Sequence, residues 1–209
     1  MLKIFTHKAN NKKNNKQLKI LSEKEREKAM EFRSVKDRNL YIAGKYLTRK
    51  AIGLHFKIKP DSIIFKADKY GRPSLFYPKI KNFDFNLSHS GNTVVLAIAD
   101  SEVGIDIEKI KPVELKIARN YFHKEEINFL YSKKGKELEN FYKIWTLKES
   151  FIKTIGKGLS FPLKSFYFEF KRGNDIKINP KSKWGEWHFK SYNISHKYKM
   201  AVCIKKVIG

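Results

Sequence analysis

Hydrophobic and polar positions alternate along this chain with two different periods, and the changes of period divide it into elements. Ser22 with Glu25 is a capping-box signature and predicts a helix running to about Phe32. Leu40, Ala43, Gly44, Leu47, Ala51 and Leu54 recur at helical spacing and predict a second helix. Pro60-Asp61 precedes a short strand around Ile63 to Phe65, and Tyr70-Gly71-Arg72-Pro73 reads as a turn, because Gly and Pro interrupt regular structure. Phe83, Phe85 and Leu87 then alternate into a strand that ends in a small polar loop, Ser88-His89-Ser90-Gly91. Thr93 to Ala99 is an almost unbroken apolar strand. After it, Val103, Ile105 and Ile107 alternate with Asp106 and Glu108, the period of a half-buried strand.

The second half repeats this plan loosely. Pro112 opens a predicted helix through Asn120, residues 124–131 form another, and a longer one runs from about Glu137 to Thr154. Leu138, Phe141, Ile144, Trp145, Ile152 and Ile155 supply the apolar side of the long helix, and Gly156 and Gly158 end it. Strands follow around 165–170, 175–178, 186–193 and 199–205. Asn86-Leu87-Ser88-His89 resembles Asn193-Ile194-Ser195-His196 at an offset of 107, and at that offset Val94-Val95-Leu96 falls on Ala201-Val202-Cys203. This weak repeat predicts two related halves with a cleft between them. Residues 8–16 are a polar, low-complexity loop.

Composition narrows the class. A chain of 209 residues with 41% hydrophobic and 14% aromatic content has ample material for a core and is not a disordered basic segment. The formal charge of +24 attracts polyanions such as nucleic acid, anionic membranes, phosphorylated cofactors or acidic proteins. Its lysines are spread along the whole chain, so the charge supports an anionic partner without naming one. The lone cysteine, Cys203, excludes an internal disulfide, suits a reducing compartment and lies in an apolar strand pattern. No stretch resembles a signal peptide or is long enough to span a bilayer, so a soluble, cytoplasmic protein is expected.

The candidate chemistry lies in two segments about forty residues apart. Asp106 and Glu108 are two positions apart on a strand and therefore share a face, expected to be the solvent side. Glu149 and Lys153 are i, i+4 on a helix and also share a face. Each pair alone reads equally well as ordinary surface polarity, and a helix-surface ion pair contributes only a few tenths of a kcal/mol. Together they offer three carboxylates and one ammonium, which can hold a hard divalent cation against a phosphate. Other chemistries fit less well: His123-Lys124-Glu125-Glu126 lacks the second histidine of a zinc-protease helix, and no Gly-x-Ser-x-Gly elbow is present. Trp145, at helical spacing with Phe141, reads as core.

Three blocks in order carry a family resemblance. Phe85-Asn86-Leu87-Ser88-His89-Ser90-Gly91, Gly104-Ile105-Asp106-Ile107-Glu108 and Trp145-Thr146-Leu147-Lys148-Glu149-Ser150-Phe151-Ile152-Lys153 resemble the signature blocks of 4′-phosphopantetheinyl transferases of the surfactin-synthetase-activating (Sfp) type. The resemblance implies an α/β (α+β) fold: a pseudo-twofold monomer of two similar halves, each a small, mostly antiparallel sheet packed with helices. The halves would be residues 1–101, with CoA-contacting helices and the Ser-His-Ser loop, and residues 102–209, with the metal-binding strand and the Trp-x-x-Lys-Glu helix.

The implied reaction is transfer of the phosphopantetheine arm of coenzyme A to a serine of an acidic acyl- or peptidyl-carrier domain, with release of 3′,5′-ADP. Asp106, Glu108 and Glu149 would hold Mg²⁺, with Mn²⁺ able to substitute, and Glu149 would also accept the serine proton. Lys153 would stabilise phosphate oxygens or protonate the leaving oxygen; Arg72, Ser88 and His89 would contact CoA. Leu40 stands where the family carries a cofactor-contacting arginine, with Arg38 and Lys45 nearby. Neither a specific nucleic acid nor a membrane is implied as partner. A basic nucleic-acid-binding module is the rival reading, although it leaves the carboxylates unexplained.

Overall fold

The apolar run Thr93–Ala99 is the middle strand of a three-stranded antiparallel sheet and is buried along its whole length. The computed structural model in which it sits describes residues 1–10, 15–68, 71–158, 161–171, 175–180 and 185–206. Tyr70 of the expected turn and residues 11–14 of the polar loop lie outside the described residues. The chain divides into two units, Met1–Asp100 and Ser101–Gly209.

In the first unit, β1 (Leu2–Lys8), β4 (Asp84–Ser90) and β5 (Thr93–Ala99) form a sheet of order β1-β5-β4. The sequence reading had no strand at β1, whose alternation is masked by lysines. β2 (Ile64–Ala67) and β3 (Pro73–Tyr77) form a separate hairpin. A short α1 (Asn15–Lys19) precedes α2 (Glu23–Glu31), which opens on the expected capping box. There the Glu25 N–H donates to Ser22 Oγ at 3.3 Å and the Ser22 N–H to Glu25 Oε2 at 3.0 Å.

The long helix α3 (Val35–Phe56) lays Leu40, Ala43, Leu47, Ala51 and Ile52 on Phe85, Val94, Leu96 and Ile98 of the sheet. Gly44 permits this approach: a Cβ there would stand 2.9 Å from Leu87 Cδ2. Leu54, expected on the apolar stripe, is 70% exposed, whereas Ile52 and Phe56 on either side of it pack on the core. Arg49 is buried, and its guanidinium donates to Glu25 Oε2 at 2.7 Å and to the Pro60 and Ile63 carbonyls, both at 2.8 Å.

In the second unit, β6 (Val103–Lys109), β9 (Trp187–Ile194) and β10 (Tyr198–Lys205) form an antiparallel sheet of order β6-β10-β9, beside a hairpin of β7 (Tyr167–Phe170) and β8 (Ile176–Asn179). Pro112 does not open a helix. The chain stays extended until a single 3₁₀ turn at Leu115–Ile117 and a short α4 (Ala118–Tyr121). Val113, Leu115 and Ile117 alternate along this stretch, and all three pack against the cluster around Phe122, Leu130, Phe141 and Ile144. α5 (Lys124–Leu130) and α6 (Glu137–Ile155) fall where periodicity places them, and Gly156 closes α6 at a φ of +66°.

Both units therefore consist of a three-stranded antiparallel sheet of equivalent strand order with one long helix on it. The four-residue likeness that suggested this is out of register. Ser88 and His89 lie within β4, paired with Val95 and Val94, whereas Ser195 and His196 form the turn between β9 and β10.

Candidate active site

The site begins with the packing of α6 on β6. Leu147 and Phe151 pack against Ala201, Cys203 and Phe189, so α6 covers the sheet face that these three residues share. Asp106 pairs directly with Ala201 and Gly104 with Cys203, which puts both on that covered face. A side chain at Gly104 would run into the Ser150 carbonyl oxygen and Thr154 of the helix. The glycine of the Gly-Ile-Asp-Ile-Glu block thus lets helix and strand touch, which brings Lys153 over Asp106.

Lys153 Nζ donates to Asp106 Oδ1 at 2.6 Å and to the Ile105 carbonyl at 3.4 Å. Asp106 was expected to face solvent but is 4% exposed, because α6 occludes the face that alternation assigned to water. Glu108, two residues on, is half-buried.

Glu149 shows what this crowding does. Its carboxyl pKa is pushed from 4.5 up to about 7, first by burial and then by the Asp106 charge; Lys153 opposes the shift and Glu108 adds to it. Glu149 Oε1 is buried without a hydrogen-bond partner among the described residues. The strand pair and the helix pair therefore stand within electrostatic reach of one another, with three carboxylates against one ammonium. Among the described residues, no three Asp, Glu, His or Cys side chains are drawn together at metal-ligand spacing. The donor set still fits a hard divalent cation. It offers oxygen ligands only, like charges close enough to raise the proton affinity of Glu149, and a buried Glu149 oxygen with no hydrogen-bond partner among the described residues.

One position earlier on α6, Lys148 is fully buried. Its ammonium donates to the Leu163 and Phe166 carbonyls at 2.8 and 2.9 Å and pairs with Glu126 Oε2 at 2.8 Å. Glu126, also fully buried, accepts the His123 and Phe168 N–H groups at 2.9 and 3.1 Å. Desolvation pushes Glu126 up and Lys148 down, each toward its neutral form. This pair ties α6 to α5 and β7 at the residue next to Glu149. The sequence reading named neither residue for a role. The available signal was that Ile144, Lys148 and Ile152 fall at i, i+4, i+8, so the lysine stands inside the apolar stripe of its helix.

The remaining candidates belong to the first unit. Arg72 donates to Asp84 Oδ2 at 2.6 Å, so its guanidinium lies beside the opening residue of β4. Ser88 and His89 are strand residues rather than a loop and leave β4 on opposite faces. Ser88 is buried. His89 is exposed and borders a cavity of about 300 Å³ lined also by Phe32, Leu40, Tyr41 and Lys45. Leu40 faces this cavity, while Lys45 pairs with Glu25 at 3.5 Å and Arg38 donates to the Phe32 carbonyl at 3.1 Å. Trp145 stacks on Phe141 at 6.0 Å and meets Tyr121 edge-on at 5.6 Å, as a core residue does.

Comparison with known proteins agrees with the three sequence blocks. Residues 102–203 match the model of the 4′-phosphopantetheinyl transferase superfamily, and residues 7–101 match that of the 4′-phosphopantetheinyl transferase N-terminal region. The chain is 36% identical to the 4′-phosphopantetheinyl transferase Sfp of Bacillus subtilis over 191 residues, which cover 91% of this chain and 84% of that protein. It is 36% identical to the transferase psf-1 of Bacillus pumilus, over 94% of this chain and 84% of that one. Identity to the L-aminoadipate-semialdehyde dehydrogenase-phosphopantetheinyl transferase of Mus musculus is 30%, over 92% and 69%. Likeness of this extent runs through both units, and the chain belongs to the 4′-phosphopantetheinyl transferase superfamily as an enzyme of the Sfp type.

Proposed function

We propose that the protein transfers the 4′-phosphopantetheine group of coenzyme A to a serine hydroxyl of an acyl- or peptidyl-carrier domain, releasing 3′,5′-ADP, and that it requires Mg²⁺. The observation that carries this reading is Glu149, a half-buried carboxylate whose proton affinity is raised by desolvation first and then by Asp106 and Glu108, and whose Oε1 is buried without a hydrogen-bond partner among the described residues. Asp106, Glu108 and Glu149 would hold the cation, which supplies charge neutralisation at the CoA pyrophosphate.

In the transfer, the serine oxygen forms a bond to the phosphorus that carries pantetheine, and the bond from that phosphorus to the 3′,5′-ADP oxygen breaks. Glu149 accepts the serine proton, a task suited to a carboxylate that titrates near neutrality. Lys153, whose ammonium is held by Asp106 Oδ1 and the Ile105 carbonyl, is assigned to the phosphate oxygens or the leaving oxygen. Arg72, Ser88 and His89 are assigned to CoA contacts. The formal charge of +24 favours encounter with an acidic carrier domain.

The test is incubation with CoA, Mg²⁺ and an apo carrier protein, followed by intact-mass measurement of the carrier. A phosphopantetheine adduct that forms with Mg²⁺ and not with chelator is the expected result. No adduct on fatty-acid, polyketide or nonribosomal-peptide carriers, together with tight, salt-sensitive binding to nucleic acid, would overturn the proposal in favour of the binding-module reading.

A further inference from the structure

The sheet face that bears Asp106 and Glu108 continues across β10 to a second polar cavity, of about 290 Å³. Cross-strand register sets its position. Asp106, Ala201 and Ser191 stand in one row across the sheet, and Glu108, Lys199 and Asn193 stand in the next. Two inter-strand steps of about 4.8 Å put Ser191 and Asn193 roughly 10 Å from the two acids. The cavity is walled by Glu139, Asn140 and Lys143 of α6, by Ser191 and Asn193 of β9, and by Lys199 of β10.

Three of these groups carry the inference. Lys199 is only 5% exposed, and its ammonium is held by Glu139 Oε1 at 3.2 Å and Asn193 Oδ1 at 2.6 Å. Lys143 lies over the rings of Phe170 and Phe129, at 4.5 and 5.3 Å from their centroids. Glu139 gives it no ion pair, since Oε1 bonds Lys199 and Oε2 bonds Lys136 at 3.0 Å. Burial and then the Lys199 charge lower the Lys143 pKa, and the Glu139 charge opposes them. Ser191 Oγ is buried without a hydrogen-bond partner among the described residues.

Counting Lys190 of β9, which also borders the cavity, three lysines line it with one carboxylate, and the Ser191 hydroxyl is buried there without a hydrogen-bond partner among the described residues. The donors come from a helix and from two strands. A planar carboxylate is matched by a guanidinium fork, whereas lysines act as point charges toward phosphate.

We propose that this cavity is a phosphate-binding site separate from the acid set, in which Lys143, Lys199 and Ser191 hold the oxygens of a free phosphate ion or of a phosphomonoester. Such a ligand gives Lys143 its counter-charge and Ser191 its acceptor without disturbing the Lys199–Glu139 pair.

The test is calorimetric titration of inorganic phosphate into the full chain, without Mg²⁺ or CoA and at constant ionic strength. One saturable site is expected, weakened at least tenfold by Lys143→Gln and by Ser191→Ala and unchanged by Lys153→Gln. O-phosphoserine is then titrated against bound phosphate. Displacement assigns the site to esters and no displacement assigns it to the free ion, and both keep the proposal. Absence of saturable binding, equal weakening by Lys153→Gln, or unchanged affinity in both cavity variants overturns it. Ser191→Ala removes a single oxygen and keeps the experiment decisive if Lys143→Gln fails to fold. Phosphate binding requires no carrier, so a failure here is distinct from a failure of the proposed transfer.

Discussion

Lys148 and Glu149 are neighbours on one helix and meet opposite fates. Lys148 turns into the core, where Glu126 and two carbonyls satisfy it completely. Glu149 turns toward Asp106 and Glu108, two charges of its own sign, and only Lys153 opposes them. The first region is closed: charges balance and donors are matched. The second crowds like charges together and leaves Glu149 Oε1 buried without a hydrogen-bond partner among the described residues. A buried pair that closes on itself serves the fold, and a carboxylate set that does not close calls for a partner from outside. The same turn of α6 thus separates anchoring from chemistry.

The sharpest way to break this contrast is to remove a charge from the open region. Asp106→Ala is expected to lower Mg²⁺-dependent transfer at least about 10³-fold, equivalent to roughly 4 kcal/mol. Retained transfer in a carrier-loading assay would remove Asp106 from the chemistry. In the closed region the effect reverses. Glu126→Ala strands the Lys148 ammonium and is expected to cost about 3–5 kcal/mol of stability, and adding Lys148→Met should recover part of it. Urea denaturation measures both. A variant that loses transfer at full stability would show that the pair belongs to the reaction.

Smaller effects sharpen the comparison. Mg²⁺ at a hundred times its dissociation constant is expected to stabilise the protein by about 2.7 kcal/mol, and Glu149→Gln should abolish most of that gain in a thermal melt. Glu149 also predicts a pH dependence in chelator. Its folded pKa lies above 4.5, at about 7, so its contribution is fully present below pH 4.5 and is lost as pH rises through about 7. Glu149→Gln should flatten the stability profile across that window, by something on the order of 1–2 kcal/mol. An unchanged slope would mean that Asp106 and Glu108 do not press on Glu149 as their placement implies.

Periodicity was enough to place most elements. The capping box at Ser22, the α3 stripe, α5 and α6, the strand at 103–109 and the four strands of the second half follow from local spacing. Pro112 misled because proline permits a helix without requiring one, and the alternation of Val113, Leu115 and Ile117 was the better guide. β1 escaped because its lysines hid a strand whose existence depends on pairing with β5. Ser88 and His89 were read as a loop because small polar residues mark turns, yet pairing with β5 extends β4 through Ser90.

Local spacing and the order of three short blocks were sufficient for the elements, the acidic residues and the family. Burial was a matter of which surfaces met. Alternation assigned Asp106 to one face of a strand, and only the packing of α6, admitted by Gly104, made that face an interior one. Long-range contact also decided that Lys148 closes on Glu126 while Glu149 Oε1 is buried without a hydrogen-bond partner among the described residues. Proton affinity depends on neighbours in space and on exclusion of water, and the order of residues along a chain encodes those two quantities only through the completed fold.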